Sequence, residues 1–205
     1  MDHDCCVKRA EFIRKSTEIR EEFAFASPVE VLRAVKVFAG DLYGGNLWQL
    51  RGDMANQMFN AWYTCIKLVW QVPRASHTYF VERLLSCGIS HIRDDLMARY
   101  VTFLQSLRRS PSKEVSVLVH IASKDIRATT GNNVHLVRDL SGLDPWCCRS
   151  WHVKKVMGDR LRQVPEQDVW RLEYLAKLLE RRGEHHHQML DTTETTDLIN
   201  YLCIN

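Results

Sequence analysis

A chain of 205 residues that is 45% hydrophobic and 26% charged has enough apolar side chain to bury a core, which excludes a disordered protein. It holds no apolar run of about eighteen residues, which excludes a membrane-spanning helix. The formal charge of +3 is unevenly spread: residues 51–165 carry 17 basic and 9 acidic side chains, whereas the two ends together carry 11 and 16. A basic centre between acidic ends is the distribution a phosphate-binding surface needs. The start, Met1-Asp-His-Asp-Cys-Cys6, has neither a basic flank nor an apolar stretch, so no signal peptide is expected. Seven cysteines, four of them in the adjacent pairs Cys5-Cys6 and Cys147-Cys148, do not form a secreted disulfide framework. Reduced thiols in the nucleus or cytosol fit better.

Nearly every segment reads as helix. From Val7 to Phe25, Phe12, Ile19 and Phe23 share a stripe, and Glu11–Lys15 and Arg14–Glu18 are spaced as i,i+4 ion pairs. Ser27-Pro28-Val29-Glu30 is a capping box with proline at the first helical position, opening a second helix toward Gly40. Gly44-Gly45 marks a turn. Asp53 suits the cap of a third helix carrying Met54, Met58, Trp62, Cys65 and Val69 at helical spacing, with Pro73 beyond its end. A short helix is expected over 78–85. Ser90 then caps a long one, Ile92 to Arg109, with Leu96, Tyr100, Phe103 and Leu107 on one face. Val115 to Ile121 is β-branched enough for a strand, but Ser112-Lys-Glu before it favours a helix start. A further helix opens at Thr130-Gly-Asn-Asn and closes at Gly142, followed by a loop through Pro145. Helices over 152–161, 166–182 and 195–204 complete an all-α reading with no place for a catalytic sheet.

The candidates for chemistry have plainer explanations. Asp94-Asp95 resembles a pair of metal-holding carboxylates. The pair falls in the first turn of an amphipathic helix, where acidic groups complement the helix dipole. His185-His186-His187 with Cys203, and Cys147-Cys148 with His152, lack the spacing of a zinc site. No metal or other cofactor is expected, and there is no Gly-rich phosphate loop. Trp146-Cys-Cys-Arg149-Ser-Trp151-His152-Val-Lys154-Lys155 sets two indoles among cations. Indoles stack on unpaired bases while cations meet phosphates, or both rings anchor the loop in the core. Trp48, Trp62 and Trp70 have apolar neighbours and read as core.

Several motifs recur in a recognisable order. They are Tyr43-Gly-Gly-Asn-Leu-Trp48, Ala61-Trp62 with Trp70, Pro73 with His77, Leu84-Leu-Ser-Cys-Gly88, Met97-x-Arg99-Tyr-Val-x-Phe103, Ser110-Pro111, and Asp125-Ile-Arg-x-Thr-Thr-Gly131-x-Asn133. Together they resemble the region downstream of the polymerase core in reverse transcriptases of non-LTR retrotransposons (LINE-type elements of the jockey or chicken-repeat kind). The resemblance covers essentially the whole chain, with residues 1–50 similar to the thumb helix pair and 51–205 to the helical C-terminal domain. It implies a part of such an enzyme without its Tyr-x-Asp-Asp hairpin, fingers, palm or endonuclease, hence no activity of its own. It also implies element RNA, target DNA and the parent polymerase core as partners, with no membrane and no small-molecule substrate.

The residues expected to meet nucleic acid are Arg74, Arg99, Arg108, Arg109, Arg149, Trp151, Lys154 and Lys155. The other reading open to the sequence is a helical protein-interaction module, with Met54, Met58 and Trp62 as an exposed groove. A Cys/His hydrolase is a third, and its mark would be a reactive thiol.

Overall fold

The computed structural model describes residues 2–40, 42–72 and 89–162. Among them every regular element is helical: α1 (Asp2–Glu22), α2 (Pro28–Phe38), a 3-10 turn (Gly45–Leu47), α3 (Asp53–Val69), α4 (Ile92–Arg108), α5 (Lys113–Ala122), α6 (Thr129–Ser141) and α7 (Ser150–Arg162). The helices expected over 78–85, 166–182 and 195–204 lie outside the described residues.

Local signals place most helix ends. The Ser27 hydroxyl accepts the Glu30 N–H at 3.3 Å while the Glu30 carboxylate accepts the Ser27 N–H at 3.1 Å, so the capping box closes in both directions. Along α1, Lys15–Glu11 and Arg14–Glu18 pair at 2.9 and 2.6 Å. The β-branched run is helix α5, capped by Ser112, whose hydroxyl accepts the Val115 N–H at 3.3 Å. Gly142 ends α6 in the left-handed region, at φ +71°.

Two caps differ from expectation. Gly52 rather than Asp53 is the N-cap of α3, and Asp53 is its first residue. The cap of α4 is His91, not Ser90: the His91 Nδ1 accepts the Arg93 N–H at 2.8 Å, and the Ser90 hydroxyl donates to Asp95 instead. An accepting Nδ1 carries no proton, so the ring is neutral with its hydrogen on Nε2.

Helix α4 lies at the centre. Its Ile92, Leu96, Met97, Tyr100, Val101 and Leu104 are buried, and α3, the 3-10 turn, α5, α6 and α7 all pack on it. Helix α1 lies along α3, with Phe12 and Trp62 rings 6.3 Å apart and the Cys5 thiol donating to the Met54 carbonyl at 3.3 Å. The core therefore runs without a break across residue 50, from Phe12, Leu32 and Val35 to Trp62, Met97 and Val137. Trp48, Trp62 and Trp70 are all in it. So is Met58, which removes the Met54/Met58/Trp62 face as an exposed groove; the periodicity that marked it is that of a core stripe.

The long-range joint of the fold is Asn133. It is 0% exposed, its side-chain oxygen accepts the Leu50 N–H at 2.9 Å, and its amide donates to the Trp48 carbonyl at 2.7 Å. Beside it, a Cβ on Gly131 would come within 2.0 Å of the Asp125 carbonyl oxygen, so only glycine lets α6 begin so close to the preceding turn. The Gly131-x-Asn133 and Leu47-Trp48 motifs thus meet and hold each other. Helix α5 is the exception to good burial: none of its residues is buried, and Val117, Leu118 and Ile121 face solvent.

Candidate nucleic-acid interface

The end of α4 and the start of α7 are built into one surface by the loop between α6 and α7. Asp144 organises that loop. Its carboxylate accepts the Trp146 N–H at 3.3 Å and pairs with Arg138 at 3.0 Å, and its carbonyl accepts the N–H groups of Cys147 and Cys148. Partial burial opposes ionisation of Asp144, but the bond to Arg138 outweighs it and holds the carboxyl below its ordinary value. Gln105 of α4 then pins the loop, donating from its amide to the carbonyls of Pro145 (3.0 Å) and Cys148 (2.5 Å). Neither contact was apparent in the sequence, where Gln105 is an ordinary helix residue.

The two indoles part company here. Trp146 is half-buried against the core, with the Arg108 guanidinium 5.7 Å from its ring centre and donating to its carbonyl at 3.4 Å. Trp151, in the first turn of α7, is 52% exposed. Arg108, Arg109 and Arg149 are exposed around this end of the bundle, and Lys155 lies one turn beyond Trp151 on the same side of α7.

Other expected residues sit elsewhere. Arg99 is exposed, but nine positions before Arg108 it points roughly 180° away around α4, at about 100° per residue. Lys154 reaches back to Asp95 at 2.8 Å. Arg74 lies outside the described residues.

The Lys154 contact belongs to a half-buried ionic cluster. Asp95 also pairs with Lys36 of α2, whose ammonium donates to the Ser90 carbonyl at 2.5 Å and lies 5.4 Å from the Trp62 ring. Burial pushes Lys36 below the ordinary lysine value, against the pull of Asp95. Burial of Asp95 favours its neutral form, but Lys36 and Lys154 outweigh that and hold it below the ordinary carboxylate value. Asp95 therefore ties α2, α4 and α7 together. Asp94 is 1% exposed beside the Arg93 guanidinium. Both carboxylates lie in the first turn of a helix rather than on a hairpin, and Asp95 is already paired with two ammonium groups.

Two of the thiols are kept protonated by their surroundings. Burial pushes Cys65 up to about 11 and raises Cys148. Among the described residues no group of three or more His, Cys, Asp or Glu side chains is arranged to hold a metal ion, and no helix is long and apolar enough to cross a membrane. A cleft of about 460 Å³ beside the start of α3 is lined by Cys5, Trp48, Arg51 and Met54. Two of its polar groups are engaged: the Trp48 N–H donates to Asp4 at 2.9 Å, and Arg51 pairs with Asp139.

No family model, curated protein or solved structure matches the chain. Among the described residues it combines an all-helical fold with a basic, aromatic end.

Proposed function

We propose that this chain is a nucleic-acid-binding helical module without polymerase chemistry of its own, the C-terminal part of a LINE-type retrotransposon reverse transcriptase. In that role it holds element RNA or target DNA for the polymerase core of the parent protein. The observation that supports the binding role best is the exposure of Arg149, Trp151 and Lys155 within two turns of chain, at the start of α7 and next to a loop that Gln105 and Asp144 hold against the end of α4, where Arg108 and Arg109 are also exposed. These exposed cations come from two helices and the loop between α6 and α7. Residues 51–165 as a whole carry a surplus of positive charge, which favours a polyanionic partner. The motif order along the chain supports the parentage, and the enclosed positions of Asp94 and Asp95 support the absence of a metal-dependent site on this segment.

Lys154 is removed from the set of freely reaching cations, because cutting it disturbs the Asp95 cluster as well as the surface. The test is therefore the double variant Arg149→Ala/Lys155→Ala, both exposed and away from the core. At about 0.7 log units per phosphate contact per decade of salt, losing two contacts weakens binding roughly 20-fold at about 0.1 M salt. Anisotropy titration of a labelled single-stranded RNA or DNA measures it. RNA and DNA of any sequence should be affected alike, since phosphate contacts carry no base information. Unchanged affinity in the double variant would place the interface elsewhere.

A second reading, a protein-interaction module, now draws on α5, whose Val117, Leu118 and Ile121 form an exposed apolar stripe.

A further inference from the structure

We infer that Trp151 receives an unpaired base, so that the α4–α7 surface takes single-stranded nucleic acid in preference to duplex. This rests on the nucleic-acid reading given above and sharpens it to one ligand class.

The argument begins with what the tryptophans do. Trp48, Trp62 and Trp70 are core, and Trp146 is packed against it under Arg108. Trp151 has no such role. Among the positions of α7 whose burial is described, Val153 and Met157 are buried. At about 100° per residue, Trp151 lies roughly 160° around the helix from Val153 and about 40° from Lys155. The indole and the ammonium thus share the outward face, one turn apart. The His152 ring stands 3.7 Å from the indole, centre to centre, and braces it. Arg149 precedes it at the end of a loop whose backbone is fixed by Gln105 and Asp144.

An outward indole with an exposed cation two residues before it and another one helical turn after it has the parts needed to hold a base on its ring while neighbouring phosphates meet Arg149 and Lys155. A duplex keeps its bases stacked on each other and presents only phosphates to this surface. The cations therefore serve both ligands, and the indole serves one. Stacking of one base is worth about tenfold in affinity.

The experiment compares three ligands on the full chain at fixed low salt: a short oligothymidylate, an abasic oligomer of the same length, and a duplex of the same length. The wild type is expected to bind the oligothymidylate about tenfold more tightly than the abasic strand. Trp151→Ala should abolish that difference and leave abasic binding unchanged, while Trp151→Phe retains part of it. Far-UV circular dichroism checks that the exposed substitution leaves the helices intact. Equal affinity of the wild type for thymidylate and abasic strands, or a Trp151→Ala variant that keeps the difference, overturns base stacking while phosphate binding stands. Failure to bind any of the three overturns the nucleic-acid reading itself, and this inference with it.

Discussion

Asn133→Ala is expected to cost about 3 kcal/mol of folding stability. The Asn133 side chain satisfies the Leu50 N–H and the Trp48 carbonyl, and all three residues are buried. Removing it leaves a donor and an acceptor without partners and without water. Each such orphan costs about 1–3 kcal/mol, against a total stability of roughly 5–15 kcal/mol for a domain. A urea titration reads the loss as a lower midpoint at an unchanged slope. Asn133→Asp distinguishes hydrogen bonding from simple packing. An ionised Asp can accept from Leu50 but cannot donate to Trp48, and its charge is buried. Once protonated it matches the amide it replaces. Its folded pKa is therefore raised, and the variant's deficit relative to wild type should be largest at neutral pH and shrink as pH falls. A deficit independent of pH, or an alanine variant as stable as wild type, would mean that the bridge contributes little.

The second large effect is acid sensitivity centred on His91. Burial among Phe59, Trp62 and Tyr63 pushes its pKa well below the ordinary histidine value, and the charges of Arg93 and Lys36 push the same way. Protonation would also place a hydrogen on the Nδ1 that accepts the Arg93 N–H, removing the cap of α4. In the unfolded chain the same ring takes up a proton near pH 6.5. A lowered folded pKa means that the unfolded state binds more protons between the two values. Stability is then fully present above about pH 6.5 and is lost as pH falls, by about 1.4 kcal/mol per unit. Asp95 acts later, because a carboxyl held low by Lys36 and Lys154 loses its contribution only as pH falls below the ordinary carboxylate range. His91→Asn keeps a capping oxygen and cannot titrate, so its stability should be nearly flat between about pH 5 and 7. Wild-type stability that is equally flat over that range would contradict this role for His91.

The local parts of the fold could be read from the sequence because their causes are local. Ser27 with Glu30, Ser112 before α5, and Gly142 after α6 each act within one helical turn. Helical spacing also identified Trp62 and Cys65 as core. The errors were of two kinds. Shifts of one residue at caps followed from chemistry that depends on burial: His91 can cap only while neutral, and it is neutral because α3 covers it. Helical periodicity also does not say which stripe is covered. It left a groove at Met54, Met58 and Trp62 open as a second reading beside the core one, and it gave no sign that α5 leaves Val117, Leu118 and Ile121 in solvent.

The candidate site was legible as composition and not as geometry. The 146–155 segment stood out for its indoles and cations. That Trp146 goes inward and Trp151 outward, that Lys154 is held by Asp95, and that Gln105 fixes the loop are all contacts across tens of residues. The same holds for Asn133 and Trp48, each noticed in a separate motif, whose meeting only the packing of α6 against the turn before α3 reveals.

The central claim is that nucleic acid is held by phosphate contacts on the α4–α7 surface, and the salt dependence of binding tests it most directly. The dissociation constant of the full chain for a single-stranded oligonucleotide would be measured across a series of salt concentrations. With Arg108, Arg109, Arg149 and Lys155 each meeting a phosphate, the logarithm of affinity should fall with the logarithm of salt at a slope of about −3. Absence of binding at low salt, or affinity indifferent to salt, would contradict the account and leave the apolar stripe of α5 as the working surface.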